Sequence, residues 1–215
     1  MKFDAAFEAL RRKIESLLLD SGAGHDYDHT LRVMKNAGLL LAEEPSADGE
    51  IVRFAALLHD CARPEEHASK GQICHAQRGA EMALELMRAE KLPEEFCCAV
   101  SEAVRCHRYR DGILPETPEG RIVFDADKLD SLGAVGLGRA FLFAGACNAR
   151  VHNTEEEALA GSAYGTEDTA YREYLVKLQH LPQAMLTAAG RQLAEERLGF
   201  MKSFFDRLNK EIYGS

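Results

Sequence analysis

The sequence predicts an all-α fold. Apolar residues recur at helical spacing along nearly the whole chain, and Pro45, Pro64 and Pro93 each fall at the edge of such a run. No repeat, low-complexity run or linker interrupts the pattern, so residues 1–215 read as a single compact multi-helix domain.

The elements follow in order. Phe3, Phe7, Leu10, Ile14 and Leu17 share one face of an opening helix, which Gly22 and Gly24 stop. A second helix runs from about Asp28 into the low forties and ends before Pro45. The third covers roughly Gly49 to Ala62 and is closed by Pro64; the fourth covers about Ile73 to Lys91, and the fifth reaches about His107. Proline lacks the N–H that an inner helical turn donates and clashes with the preceding turn, which is why it belongs at these edges. The stretch Asp111 to Arg121 is rich in turn residues, and Ile122-Val123-Phe124 is a candidate extended entry to a helical Asp127 segment. Gly133, Gly136 and Gly138 lack a surrounding strand–turn–helix pattern, so they read as aids to close helix packing rather than a dinucleotide fingerprint. Residues 148–168 are expected as an exposed loop or loose helix, either covering a pocket or an inert excursion. Leu193, Arg197, Met201, Phe204, Leu208 and Ile212 mark a long, largely apolar closing helix.

With 46% hydrophobic and 28% charged residues, the composition is that of a soluble globular protein. The N-terminal residues form an amphipathic pattern carrying acids, without the apolar core of a signal peptide or the length of a membrane span, so the cytoplasm is expected. The six cysteines show no C-x-x-C spacing and read as reduced thiols; Cys61, Cys74 and Cys106 stand beside residues of interest and are candidates for a site wall. A net charge of −9 argues against wrapping a long nucleic acid, yet leaves room for a small phosphorylated ligand in a locally positive pocket. Arg63, Arg105, Arg108, Arg110 and Lys128 are placed in sequence to supply that pocket.

The doublet His59-Asp60 carries most of the functional information. It ends the apolar run Phe54-Ala55-Ala56-Leu57-Leu58, where an ionised Asp needs a partner or a metal. His29 and Asp127 are further candidate ligands from distant segments, with Asp125 and Asp130 competing for the role of Asp127. Two imidazoles and two carboxylates suit manganese, iron(II), nickel, cobalt or magnesium better than a thiolate-rich structural zinc site. On a helix, His59 and Asp60 diverge by about 100°, so one ion must sit between their directions.

The order His29, His59-Asp60, Asp127 resembles the metal-dependent phosphohydrolases of the HD superfamily. Gly24-His25-Asp26-Tyr27-Asp28-His29 is similar to the first-histidine segment, Leu57-Leu58-His59-Asp60 with Ala62-Arg63-Pro64-Glu65-Glu66 to the doublet and its tail, and Asp125 to Ala134 to the closing Asp segment of small stand-alone bacterial and archaeal members. The resemblance implies His29, His59, Asp60 and Asp127 as metal ligands and Asp127 over its two neighbours. Asp60, Arg63, Lys128 and Asp130 are then the catalytic candidates. His75, His107, Arg63 and Lys128 are the candidates for substrate binding. One divalent ion is favoured and two are possible, since some members use two extra histidines in the order of His75 and His107. The expected reaction is cleavage of a phosphoester or phosphoanhydride of a small substrate, a nucleotide first, by metal-activated water. Alternatives are a two-metal cyclic-nucleotide phosphodiesterase, a diiron oxygenase, or a non-catalytic metal- or nucleotide-binding regulator. A homodimer is possible.

Overall fold

The computed structural model describes residues 3–19, 26–108 and 114–214. Among them the regular elements are all helical: α1 (Asp4–Leu17), α2 (Tyr27–Leu41), α3 (Gly49–Leu58), α4 (Arg63–Ala68), α5 (His75–Ala89), α6 (Glu94–Arg105), α7 (Pro118–Leu129), α8 (Gly133–Ala146), α9 (Glu155–Ala160), α10 (Ala170–Val176), α11 (Leu181–Ala184) and α12 (Ala188–Tyr213). The all-α reading holds. None of these helices is by itself long and apolar enough to cross a membrane.

The chain divides into two compact units, Met1–Asp127 and Lys128–Ser215. In the first, α3 is the central element: Phe54, Leu57 and Leu58 are fully buried against Phe7, Leu10 and Ile14 of α1, Met87 of α5 and Val100 and Val104 of α6. Phe54 takes the rings of Phe7 at 5.1 Å and Phe96 at 5.1 Å edge-on, the arrangement that ring quadrupoles favour. Such a core leaves the end of α3 rigid, and His59 follows it directly.

Three details differ from the sequence reading. The third helix stops at Leu58 rather than Ala62, and His59 is its C-cap. Tight turns follow, Cys61 N–H to Leu58 O at 3.1 Å and Arg63 N–H to Asp60 O at 3.0 Å. Pro64 does not close that helix; it opens α4, where the missing N–H is one the first turn leaves unpaired anyway. Ile122-Val123-Phe124 is helical, because α7 already begins at Pro118. The extended entry is therefore corrected: all three side chains are buried, and a buried helix and a buried strand share the same short apolar signature.

In the second unit, α12 packs on α8 and α11. Arg197 of α12 donates to Leu129 O at 2.6 Å, capping the end of α7 with a cation where helix carbonyls are left over. Residues 148–168 are more ordered than a loose excursion. Thr154 and Glu157 form a capping box that starts α9, and the run Glu155-Glu156-Glu157 lies in its first turn, where the helix dipole favours acids. Asn153 ties the segment down by donating to Glu167 O at 3.1 Å and accepting from Thr169 Oγ1 at 2.7 Å.

Of the three glycines read as packing aids, Gly136 needs its missing side chain most. A Cβ there would lie 2.1 Å from the Ser131 carbonyl oxygen, whereas one at Gly138 would meet nothing within 4 Å. Gly136→Ala is expected to cost roughly 1–3 kcal/mol, read as a lower urea midpoint at unchanged slope. An unchanged midpoint would contradict this packing.

Candidate metal centre

The first unit gathers the site residues from five segments. Asp26 is the N-cap of α2 and accepts the His29 backbone N–H at 2.9 Å, which fixes His29 in the first turn. Further along α2, Asn36 donates to Ala126 O at 3.1 Å and so anchors the stretch of α7 that carries Asp127. His59 and Asp60 come from the end of α3, His75 from the start of α5, and His107 from just past α6.

These side chains converge in two groups. His29, His59 and Asp127 each place a ligand atom within 4.8 Å of the others, and Asp60, His75 and His107 do the same. Asp60 belongs to both surroundings. Its Oδ2 lies 3.5 Å from His29 Nε2 and 3.6 Å from His59 Nε2, while Oδ1 lies 3.4 Å from His75 Nε2 and 3.6 Å from His107 Nε2. His29 Nε2 is also 3.4 Å from Asp127 Oδ1. His29, His59, Asp60, His75 and His107 are all buried, and Asp127 is partly exposed.

The hydrogen bonds assign the protons on three of the imidazoles. His59 Nδ1 faces Ala56 O at 2.9 Å, His107 Nδ1 faces Val104 O at 2.6 Å and His75 Nδ1 faces the Glu66 carboxylate at 2.9 Å. A carbonyl or carboxylate only accepts, so each Nδ1 carries the proton and each Nε2 presents a lone pair. Yet His29 and His59 bring their Nε2 atoms to 3.2 Å, and His75 and His107 bring theirs to 3.1 Å. In the second pair these are two opposed lone pairs, which are stable that close only with a positive charge between or beside them. The spacing also suits neighbouring nitrogens on one ion, which lie about 3 Å apart when each metal–nitrogen bond is about 2.1 Å. The residues therefore fit a divalent metal.

Electrostatics point the same way. Burial, only partly offset by Asp60, brings the His59 pKa down to about 4, and burial likewise brings His75 to about 3. Both are neutral ligand-form imidazoles at physiological pH. Burial lifts the Cys61 thiol to about 12, and its Sγ donates to Gly79 O, so it is a packed thiol beside the site rather than a thiolate in it.

Arginines close one side. Arg63 Nε donates to Asp60 Oδ1 at 2.9 Å and its Nη1 to Glu66 Oε2 at 2.8 Å. Arg108 Nη1 donates to Glu66 Oε1 at 2.6 Å. Burial would raise the Glu66 carboxyl, but His75, Arg108 and Arg63 outweigh it and hold it at about 2.

The structure thus brings together His29, His59, Asp60, Asp127, His75, His107, Arg63 and Arg108. Arg105 instead turns to Glu102 on an exposed face of α6. His25 and Arg110 lie outside the described residues. Lys128 follows Asp127 but belongs to the second unit, as does Asp130, which is buried and accepts from Arg139 at 2.8 Å. Asp125 is fully buried and stands outside both ligand groups. Glu66 escaped sequence reasoning as a site residue. Its signal was the i, i+3 spacing from Arg63, legible only once α4 is recognised as a helix.

Comparison with known proteins agrees with this arrangement. A family model described as HD domain matches residues 26–132. YpgQ of Bacillus subtilis (strain 168), an uncharacterized protein, is 34% identical over 211 residues, covering 96% of this chain and 94% of its own. In structural superposition, Bacillus subtilis YpgQ in complex with ADP gives a TM-score of 0.73 at 28% identity, covering 100% of this chain and 98% of that one. A predicted HD superfamily hydrolase from an uncultured Thermotogales bacterium gives 0.66 at 28% identity, covering 97% and 91%. Family model and whole-chain likeness agree: the chain belongs to the HD superfamily.

Proposed function

We propose that this chain, acting as one functional domain over residues 1–215, is a cytoplasmic metal-dependent phosphohydrolase that cleaves a phosphoester or phosphoanhydride of a nucleotide. The observation that carries the reading is the convergence of His29, His59, Asp60 and Asp127 with their nitrogen and carboxylate oxygen atoms turned toward one another. Those four would hold the ion. A divalent ion there would lower the pKa of water and draw charge from phosphoryl oxygens.

The rest is work for the chain's own groups. Ala56 O keeps the proton of His59 on Nδ1, so Nε2 stays a ligand. Arg63 steadies Asp60 and, with Arg108, offers guanidinium donors to a phosphate. His75 and His107 flank the same carboxylate and are placed to contact that phosphate. A nucleotide is the favoured substrate class because the similar YpgQ has been crystallised with ADP. Lys128 and Asp130 are proposed as further contributors to catalysis.

A second reading has its own support. His75 and His107 with their opposed lone pairs, and Asp60 with Oδ1 beside them, are residues that would hold a second ion. Arg63 already donates to that oxygen, which favours one ion with His75 and His107 left for substrate.

A screen for phosphate and pyrophosphate release from nucleoside mono-, di- and triphosphates with manganese, magnesium, nickel or cobalt tests the proposal. Release with at least one ion, lost in EDTA, is expected. No product with any of them contradicts it.

A further inference from the structure

Glu66 draws three basic side chains from three segments onto one carboxylate. Its Oε2 accepts from Arg63 Nη1 at 2.8 Å and from His75 Nδ1 at 2.9 Å, and its Oε1 accepts from Arg108 Nη1 at 2.6 Å. Arg108 also lies 3.0 Å from His75 Nδ1; because that nitrogen's proton goes to Glu66, this closeness reflects the shared acceptor. An ordinary exposed i, i+3 ion pair is worth about 0–1 kcal/mol and organises little. Here the acid is the more buried member, at 13% exposure, with Arg63 at 20% and Arg108 at 23%.

We propose that Glu66 is the positioning residue that holds Arg63 and Arg108 as a paired anion clamp beside the Asp60–His75–His107 group. The assignment rests on the phosphohydrolase reading for its link to turnover, but not for anion binding itself. Glu66 fixes each guanidinium through one carboxylate oxygen. A guanidinium carries five N–H donors, so a bond through one Nη leaves others to receive a phosphate oxygen. The same carboxylate keeps the proton of His75 on Nδ1. Among the linked groups, Asp60, Asp127 and Glu66 set three negative charges against the two of Arg63 and Arg108. That balance admits a divalent cation first and leaves the loaded site positive toward an anion.

The test compares wild type with Glu66→Gln, Glu66→Asp and Arg108→Ala. Inorganic pyrophosphate is titrated calorimetrically with and without a divalent ion, and nucleotide kinetics are measured alongside. Glu66→Gln places an amide N–H against a donor, so pyrophosphate affinity is expected to fall about 10–100-fold, with KM rising by a similar factor and kcat changing less. Glu66→Asp keeps the charge and should recover part of the loss. Glu66→Gln should cost less once Arg108 is already Ala, because the Glu66–Arg108 contact is then already lost and only those to Arg63 and His75 remain. Wild-type pyrophosphate affinity and KM in Glu66→Gln overturn the proposal, as do full additivity with Arg108→Ala or a wild type that binds no pyrophosphate in either state. If wild type turns over no nucleotide, the hydrolase reading alone fails, because the pyrophosphate titration still reads the clamp.

Discussion

Asp60→Ala is expected to abolish both metal retention and turnover. Asp60 is 1% exposed, and both oxygens are committed: Oδ2 toward His29 and His59, Oδ1 toward His75, His107 and Arg63. Removing the carboxylate takes an anionic ligand from either group and leaves the Arg63 charge unopposed at that point. A cation is then repelled where it was held. Loss of a group that merely supports a ligand costs about 10–100-fold, so loss of this one should exceed about 100-fold in activity. The fold should survive at some cost in stability, because Asp60→Ala removes one partner of a buried ion pair while Arg63 keeps its bond to Glu66. Metal content by mass spectrometry and initial rates on the same sample check the prediction. A metal-free Asp60→Ala protein with the wild-type rate would overturn the site assignment.

The metal-free protein should lose stability steeply in mild acid. An unfolded histidine titrates near 6.5, whereas folding brings His59 to about 4 and His75 to about 3. Below pH 6.5 the unfolded chain therefore takes up protons that the native chain refuses. Stability is fully present above about pH 6.5 and is lost as pH falls, until His59 and then His75 titrate in the native state. Each histidine contributes about 1.4 kcal/mol per pH unit inside that window, so the pair gives a slope near 2.7 kcal/mol per unit around pH 5. Glu66 acts in the same direction lower down. Its carboxyl, held at about 2, contributes stability above the ordinary 4.5 that is lost as pH falls through about 2. Urea midpoints in EDTA at pH 7, 6, 5 and 4.5 read this directly. A flat profile would mean that His59 and His75 protonate as readily in the fold as outside it. Added divalent metal should steepen the loss, because protons and metal compete for the same Nε2 lone pairs.

Much of this was legible in the sequence, for reasons visible in particular residues. The doublet His59-Asp60 stood out because a charged pair at the end of a buried apolar run has few physical explanations, whereas His29 and Asp127 were singled out by the family resemblance. The core face of α1 could be read because Phe7, Leu10 and Ile14 keep the helical period. Periodicity failed at Pro64, which is equally at home after a helix and in the first turn of the next; only the turns at Cys61 and Arg63 decide between them. That ambiguity hid α4, and with it Glu66. The 148–168 segment could be read only as an exposed loop or loose helix, and α9 with its exposed flanks matches that. Its order comes from side-chain bonds of Asn153, Thr154 and Thr169, which leave no apolar pattern to find.

His29, His59, Asp60 and Asp127 are proposed to enclose a divalent ion. Anomalous diffraction at the manganese edge, from crystals grown with manganese, locates that ion. The expected result is a strong peak in coordinating contact with His29 Nε2, His59 Nε2 and the carboxylates of Asp60 and Asp127. A map with no peak at those four residues, or with its strongest peak on the protein surface, would contradict it.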